Sequence, residues 1–398
     1  MTTKIKTRLS NVAAVAITAG LTTLAPMAQA QEYEWPRLLV IGTPSTSTGS
    51  FASTNGWVPV LQQDTGMTVR VVPTGAEPER YKRLVDRKDI QVSSVSASEM
   101  RFQIQGITGY AAVPAKAMRM IWHHNDTPWG FVTGGRSGVE ALEDLKNGGL
   151  RFAQAASSPA MTEAVTVGIP AYLGMSQEDV DSKITYIPTS SYGENCKSVV
   201  EGKADIAYCS PISSVLSEME AAPGSIKWLP MPADNPGWDA YLDVNPMLVP
   251  SEMTVGVSTA KGVPGATSNF VYAVAADADE DFVYNMAKWF NEHFEDYEKT
   301  HMLAARMSLD LWRAYLDRTP MPVHSGTVKY LREIDVWTDA DDEWNNAAIE
   351  RMDQWIEARG AALKEAQEQG VELNFENPGY LAILEKHTKD LEGFRSRL

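Results

Sequence analysis

Twice along this chain, short apolar runs alternate with amphipathic helical stretches. That pattern fits a mostly parallel sheet, in which each crossover needs a helix to bring the chain back. The runs 37–42, 68–72, 90–95 and 118–122 read as strands, and 55–64, 77–87 and 97–105 as helices. After WGFVT at 129–133 the alternation restarts. Helices are expected at 137–146, 160–173, 193–201 and 211–219, with strands near 150–154, 184–187, 204–208 and 226–230. A chain of 398 residues exceeds what one core usually holds, so two α/β lobes are expected.

The Pro- and Asp-rich segment 231–252 reads as a long loop, followed by strands at 253–258 and 269–275 and a helix over 279–301. If the chain leaves the first lobe near residue 125 and returns near 253, two crossovers form a hinge. This gives a first lobe of 31–126 and 253–335, a second lobe of 127–252 and a C-terminal helical extension of 336–398. In the extension, Trp344, Ala348, Met352, Trp355, Ile356, Arg359 and Leu363 recur at helical spacing over about 25 residues. A shorter helix follows the Asn377-Pro378-Gly379 break. The stripe has two readings, packing against the lobes or docking a partner or second copy, so both monomer and dimer stay open.

Residues 1–30 combine Lys4, Lys6 and Arg8 with an apolar run over 12–24 and end in Ala28-Gln29-Ala30. They read as a secretory signal peptide, which places the mature protein in the periplasm. Cleavage there removes three positive charges and no negative ones, taking the net charge from −16 to −19. A chain this acidic argues against nucleic acid as a partner. Cys196 and Cys209 are its two cysteines. Cys196 opens a predicted helix and Cys209 closes the strand after it, so both fall at one edge of the sheet; a disulfide and two buried thiols remain alternatives.

The stretch GTPSTSTGSFASTNGW at 42–57 follows the first strand and opens a helix, so its hydroxyls and free N–H groups gather at a helix N-terminus as an anion cradle. Thr46, Ser47, Ser50 and Phe51 are its candidate ligand residues. Hydroxyl-bearing loops recur after later strands, adding Thr74, Gly75, Ser94, Ser96, Ser157, Ser158 and Ser210. Trp129, Tyr192 and Tyr208 are candidate aromatic walls. In an open α/β sheet, ligands sit at the carboxyl ends of the strands, where these loops lie. Ser and Thr also cap ordinary helices, which is the plainer reading of about half of these positions. No nucleophile elbow, phosphate-binding lysine loop or zinc-binding helix motif is present, so a binding protein is expected rather than an enzyme, without cofactor. His123 and His124 adjoin in a strand and point to opposite faces, which disfavours a shared metal.

The order of these segments resembles the TAXI family, solute receptors of tripartite ATP-independent periplasmic (TRAP) transporters. The resemblance rests on IGTPSTSTGSFASTNGW, VRVVPTGAEPERYKRLVDRKDIQVSSVSASEM, GVEALEDLKNGGLRFAQAASSP, CKSVVEGKADIAYCSP and TPMPVHSGTVKYLRE, over about residues 37–335. It implies a two-lobed periplasmic-binding-protein fold, type II-like, with a hinge. It also implies a small organic anion, a carboxylate or amino acid, held between the lobes and delivered to a TRAP membrane permease. The alternatives are a periplasmic sensor subunit of a signalling system and a receptor of a tricarboxylate-type tripartite transporter. Pro44, Ser45 and Ser47 replace family glycines, and AASSP at 155–159 replaces a Gly-rich turn. A relative's ligand is therefore not transferred.

Overall fold

The computed structural model describes residues 1–2, 33–316 and 319–395, so the expected signal peptide lies outside the described residues apart from its first two. From Trp35 onward the chain forms one unit. Strand β1 (Leu38–Thr43) pairs in parallel with β2 (Thr68–Pro73) and β3 (Val92–Ser96). Helices α1 (Gly49–Thr65), α2 (Glu77–Val85) and α3 (Ala97–Gln105) follow these strands in turn. Thr48 caps α1 by accepting from the Phe51 N–H, and Ser96 and Glu99 form a reciprocal capping box on α3. Sequence therefore sets where each of these two helices starts.

The fourth strand departs most from expectation. β4 (Met118–Gly134) runs unbroken for 17 residues, where the apolar run 118–122 marks only its beginning. Its polar middle, HHNDTP, stays in the sheet because the buried groups find partners there. His124 Nδ1 meets Ser94 Oγ at 3.0 Å and its Nε2 meets the Tyr272 hydroxyl at 3.1 Å. His123 Nδ1 meets Asn269 Oδ1 at 2.8 Å, and Asp126 pairs with Arg306 at 2.6 Å. Burial holds His124 well below its ordinary pKa, so the ring is neutral.

Strands β5 (Leu150–Ala155), β6 (Ile184–Thr189), β7 (Ile206–Cys209) and β8 (Ile226–Leu229) build the second half, and β9 (Val249–Glu252) and β10 (Pro264–Ala275) complete the sheet. The order is β2-β1-β3-β10-β4-β7-β5-β6, with β8 on β4 and β9 on β10. β10 pairs antiparallel with β4 from Ala266↔Trp129 to Ala275↔Met118, and the last residues of β4 pair with β7 and β8. Two separate hydrophobic cores result. One gathers Leu39, Ile41, Trp57, Trp122, Tyr272 and Phe290; the other gathers Phe131, Phe152, Ile206, Tyr208, Trp228 and Tyr241. Met253, Val257, Ala260 and Ala266 belong to the second core, whereas Val271 belongs to the first.

Three local readings are corrected. The segment read as a loop over 231–252 holds a helix, Gly237–Val244, and β9. No strand forms over 253–258, where Gly256 takes a left-handed φ of 107° with the Pro211 backbone against it; a Cβ there would approach the Pro211 carbonyl to 2.5 Å. The helix expected over 279–301 breaks into Glu280–Glu292, Phe294–Tyr297 and a short 3-10 turn.

The C-terminal stripe forms a 30-residue helix, Asp339–Glu368, followed by Pro378–Thr388. Met352 and Trp355 enter the first core, and Ala362, Leu363, Ala366, Tyr380, Ile383 and Leu384 make a small core of their own with Ala111. Arg359, fully buried, carries no carboxylate among its hydrogen-bond partners. Its Nη1 donates to the carbonyls of Gln103 (3.0 Å) and Ile104 (3.4 Å), and its Nη2 to those of Tyr110 (3.0 Å), Ala111 (3.3 Å) and Val113 (3.0 Å). The cation thus closes the negative, C-terminal end of α3. Gly106 caps that end with φ 73°, and a Cβ there would fall 2.4 Å from the Arg359 guanidinium carbon. Replacing Arg359 with Met leaves these buried carbonyls unpaired and should lower the unfolding free energy by about 3 kcal/mol or more in urea titration. A variant as stable as the wild type would remove the guanidinium from the account of why the extension docks.

Candidate functional site

The parallel strands on both sides of the β4–β10 ladder end at one edge, and a cavity opens there between the two cores. Its first side consists of the loop before α1, with Pro44, Ser45, Thr48, Gly49 and Ser50, then Gly75 after β2, and Ser96 and Ser98 at the start of α3. Its second side consists of Ser157 and Ser158 after β5, Tyr192, and Tyr208, Ser210, Ile212 and Ser213 at and after β7. The floor is the ladder itself, through Thr127 and Trp129 of β4 and Ser268 and Phe270 of β10. The N-termini of α1 and α3 both face this space, adding partial positive charge to a wall of hydroxyls.

The structure gathers Ser50, Gly75, Ser96, Trp129, Ser157, Ser158, Tyr192, Tyr208 and Ser210 of the sequence candidates around this one cavity. It does not bring Thr46, Ser47, Phe51, Thr74 or Ser94 to it. Thr46 is exposed, and Phe51 lies a turn into α1. Ser47 bonds the Ser45 hydroxyl at 3.0 Å, and its carbonyl accepts from Ser214 Oγ at 3.3 Å. The Thr74 carbonyl turns toward Arg80, at 2.9 Å, and its hydroxyl accepts from Arg83 at 3.1 Å. Ser94 lies one pleat short of the sheet edge and is engaged by His124.

Several lining groups are held in place by their neighbours. Trp129 donates its indole N–H to Ser268 Oγ at 2.8 Å and stacks on Tyr208, whose ring stacks in turn on Phe131. The Tyr192 hydroxyl accepts from the Ser210 N–H at 2.9 Å and meets Ser213 Oγ at 2.8 Å; burial pushes its pKa up to about 12. After β5 the helix opens into a π turn over Ala164–Gly168, and Met161 and Ala164 reach the cavity from it. Such turns occur often at functional sites. The two sides touch directly near the cavity, where the Glu77 N–H donates to the Ser157 carbonyl at 3.3 Å. Arg101 of α3 donates to the Val244 carbonyl at 2.6 Å and lies 3.5 Å from Glu163.

Residue-by-residue reading of the loops missed Glu77, Arg80 and Glu99, which also line the cavity. Arg80 Nη2 pairs with Glu99 Oε2 at 2.6 Å, both side chains being almost fully buried. Burial raises the Glu99 pKa and the Arg80 charge opposes that rise. Glu77 is pushed well above the usual carboxylate range, by burial first and then by the Glu99 charge. A signal was available: Ser96-Ala97-Ser98-Glu99 reads as a capping box before an apolar run, which assigns Glu99 a fixed place beside a cavity-facing helix start. Among the described residues no group of three or more His, Cys, Asp or Glu is placed to hold a metal, and no helix is long and apolar enough to cross a membrane.

The model of the NMT1-like family matches residues 41–334. No curated protein matches the chain significantly by sequence. Solved structures similar to this one include MatC (Rpa3494) from Rhodopseudomonas palustris with bound malate, 13% identical, covering 79% of this chain and 100% of that one with a TM-score of 0.47. Another is the alkanesulfonate-binding protein SsuA from Xanthomonas axonopodis pv. citri bound to MOPS, 17% identical, covering 79% of this chain and 84% of that one with a TM-score of 0.41. The fold itself is mixed α/β, a central sheet with helices packed on it.

Cys196, in the helix Tyr192–Lys197, and Cys209, at the end of β7, form a disulfide with Cα atoms 6.0 Å apart. The bridge ties together the two segments that carry Tyr192, Tyr208 and Ser210. Replacing both cysteines with Ala should lower the unfolding free energy by about 3 kcal/mol in urea titration, the value expected for closing a loop of this size. Two titratable thiols per chain in the unfolded, unreduced protein would refute the bridge.

Proposed function

This chain belongs to the NMT1-like family, and we propose that it is an extracytoplasmic solute receptor. It binds a small organic anion, a carboxylate or amino acid, between its lobes and delivers it to a TRAP-type membrane permease. The observation that carries this reading is the cavity between two cores, walled by hydroxyls from the carboxyl ends of strands on both sides and by the N-terminus of the 17-residue α1. A carboxylate suits such a wall, because hydroxyls, backbone N–H groups and helix dipoles all donate or present positive charge. The TAXI-like order of segments supports the permease assignment. The protein acts in the periplasm, as a binder without cofactor and not as an enzyme.

In this reading the first lobe comprises the described residues of 31–126 and of 253–335 from Val271 onward, the second 127–252 together with Met253 to Ala266, which pack in the second core, and the helices Asp339–Glu368 and Pro378–Thr388 brace the first lobe from outside. The crossing runs through β4 and β10, and opening of the cleft bends that ladder. Binding by the folded state alone must raise the melting temperature, so a thermal-shift screen of organic and amino acids identifies the ligand class. Removing the hydroxyl in Ser50→Ala or in Ser157→Ala should each weaken the best ligand by roughly 1–2 kcal/mol in calorimetry. Full affinity in both variants would sink the site.

A further inference from the structure

Inside this cavity the charges do not balance in the way a plain acid would require. Arg80 is the only Lys or Arg among the lining residues, and its guanidinium is engaged by the Glu99 carboxylate at 2.6 Å and the Thr74 carbonyl at 2.9 Å. Glu99 is engaged in turn, its other oxygen accepting from the Ser96 N–H. Glu77 is the remainder. Its side chain is about nine-tenths buried and lines the cavity, Ser158 hydrogen-bonds the carboxyl, and Oε2 has no partner. On the opposite side, two buried groups that also line the cavity are unpartnered, Asn245 Nδ2, a donor, and Ser210 Oγ. An acidic group and a donor therefore belong to residues that line one space from different elements, and a buried polar atom left unmet carries its desolvation cost until something fills it.

We propose that Glu77 receives a positively charged nitrogen of the ligand, so that the bound solute is a zwitterion bearing an ammonium as well as a carboxylate. This rests on the carboxylate reading above and adds the second pole. The ammonium donates to Glu77 Oε2, while the acidic end lies toward the hydroxyls and the Asn245 amide. A ligand with a net negative charge and no amine would meet Glu77 and Glu99 with Arg80 already paired, and so would gain little from the one cation present.

The groups facing Glu77 are Glu99 of α3, Arg80 of its own helix and Tyr110 from the turn after α3, with Ser158 from the second side. Burial and Glu99 favour the protonated carboxyl; an incoming ammonium favours the ionised one. Capture therefore releases the Glu77 proton to solvent as the ion pair forms, and no other bond changes. The sign follows directly. At pH below the raised pKa of Glu77 the proton competes with the ligand, so affinity rises as pH increases through that value and levels off above it, as long as the ligand amine stays protonated.

The test is titration calorimetry of the full chain with matched probes: L-glutamate against glutarate, L-leucine against 4-methylpentanoate and isopentylamine, and L-phenylalanine against 3-phenylpropanoate. For at least one pair the amino acid should bind more than about tenfold tighter than its deamino partner. Its affinity should fall as the pH is lowered, with proton release read from two buffers of different ionisation enthalpy. Glu77→Gln keeps the shape of the protonated acid, so it should retain the wild-type melting temperature while losing the tenfold preference. A deamino probe that binds the wild type as tightly as its amine partner overturns the proposal, and so does a preference that survives in Glu77→Gln. Isopentylamine binding where neither acid binds would break the carboxylate reading and leave the Glu77 assignment standing. Binding of no probe at all would overturn both.

Discussion

The structure depends on the antiparallel ladder of β4 and β10. β4 begins in the first core with Met118, Met120 and Trp122, and ends in the second with Phe131 and Val132. β10 makes the same passage in reverse, from Ala266 to Val271 and beyond. Because both strands remain hydrogen-bonded through the crossing, the two cores are joined by a continuous piece of sheet. The ladder shifts register between Phe270 and Val271 and again between Tyr272 and Ala273. Bulges of this kind disrupt the pairing and let a strand bend, and these lie beside the point where the cores exchange. Thr127, Trp129, Ser268 and Phe270 form the cavity floor on the same stretch.

Polar groups in that crossing are tolerated because nearly all meet a partner in the sheet or beside it, the buried Asn125 Nδ2 being an exception. Asp126 accepts from Arg306 Nε and Nη2 at 2.6 Å each and from the Tyr315 hydroxyl at 2.8 Å. These contacts outweigh the effect of burial and hold its carboxyl below the usual range. The Tyr272 hydroxyl joins Thr54, the Trp57 indole and His124 in one buried cluster under α1. A buried polar group without such company would cost several kcal/mol, which explains why HHNDTP needs these residues from four other segments around it.

The alternation of apolar runs and helices was legible because the parallel strands carry apolar runs between amphipathic helices; β1, β2, β3, β5 and β6 fall where the runs predict. β4 was cut short because its central residues are polar, and their burial depends on His-Tyr and Asp-Arg pairings that join residues far apart in sequence. MTVGVS reads as a strand by alternation, yet Gly256 turns the backbone out of the β region and pairs with nothing there. In the cavity, the hydroxyl loops were legible as a class, since strand ends are where such loops converge. Glu77 and Arg80 were not, because charged residues in the first turn of an amphipathic helix ordinarily face solvent. What turns them inward is the position of α2 against the Ser157-Ser158 loop, a fact of tertiary structure.

The extension bears on the cavity through α3. That helix is fixed at its start by the Ser96–Glu99 capping box, which faces the ligand space, and at its end by the Arg359 guanidinium among the carbonyls of residues 103–113. Between the two ends, Met100, Phe102 and Ile104 are fully packed in the first core. A helix held at both ends and along one face has little freedom to tilt, so Ser96, Ser98 and Glu99 present a rigid wall. The turn that carries Tyr110 is fastened by the same guanidinium and by the Tyr380 hydroxyl, which donates to the Ala111 carbonyl at 2.9 Å. Arg359 thus holds in place both α3 and Tyr110, the neighbour of Glu77, so the extension fixes the acidic side of the cavity and the cost of ordering that wall is met in folding.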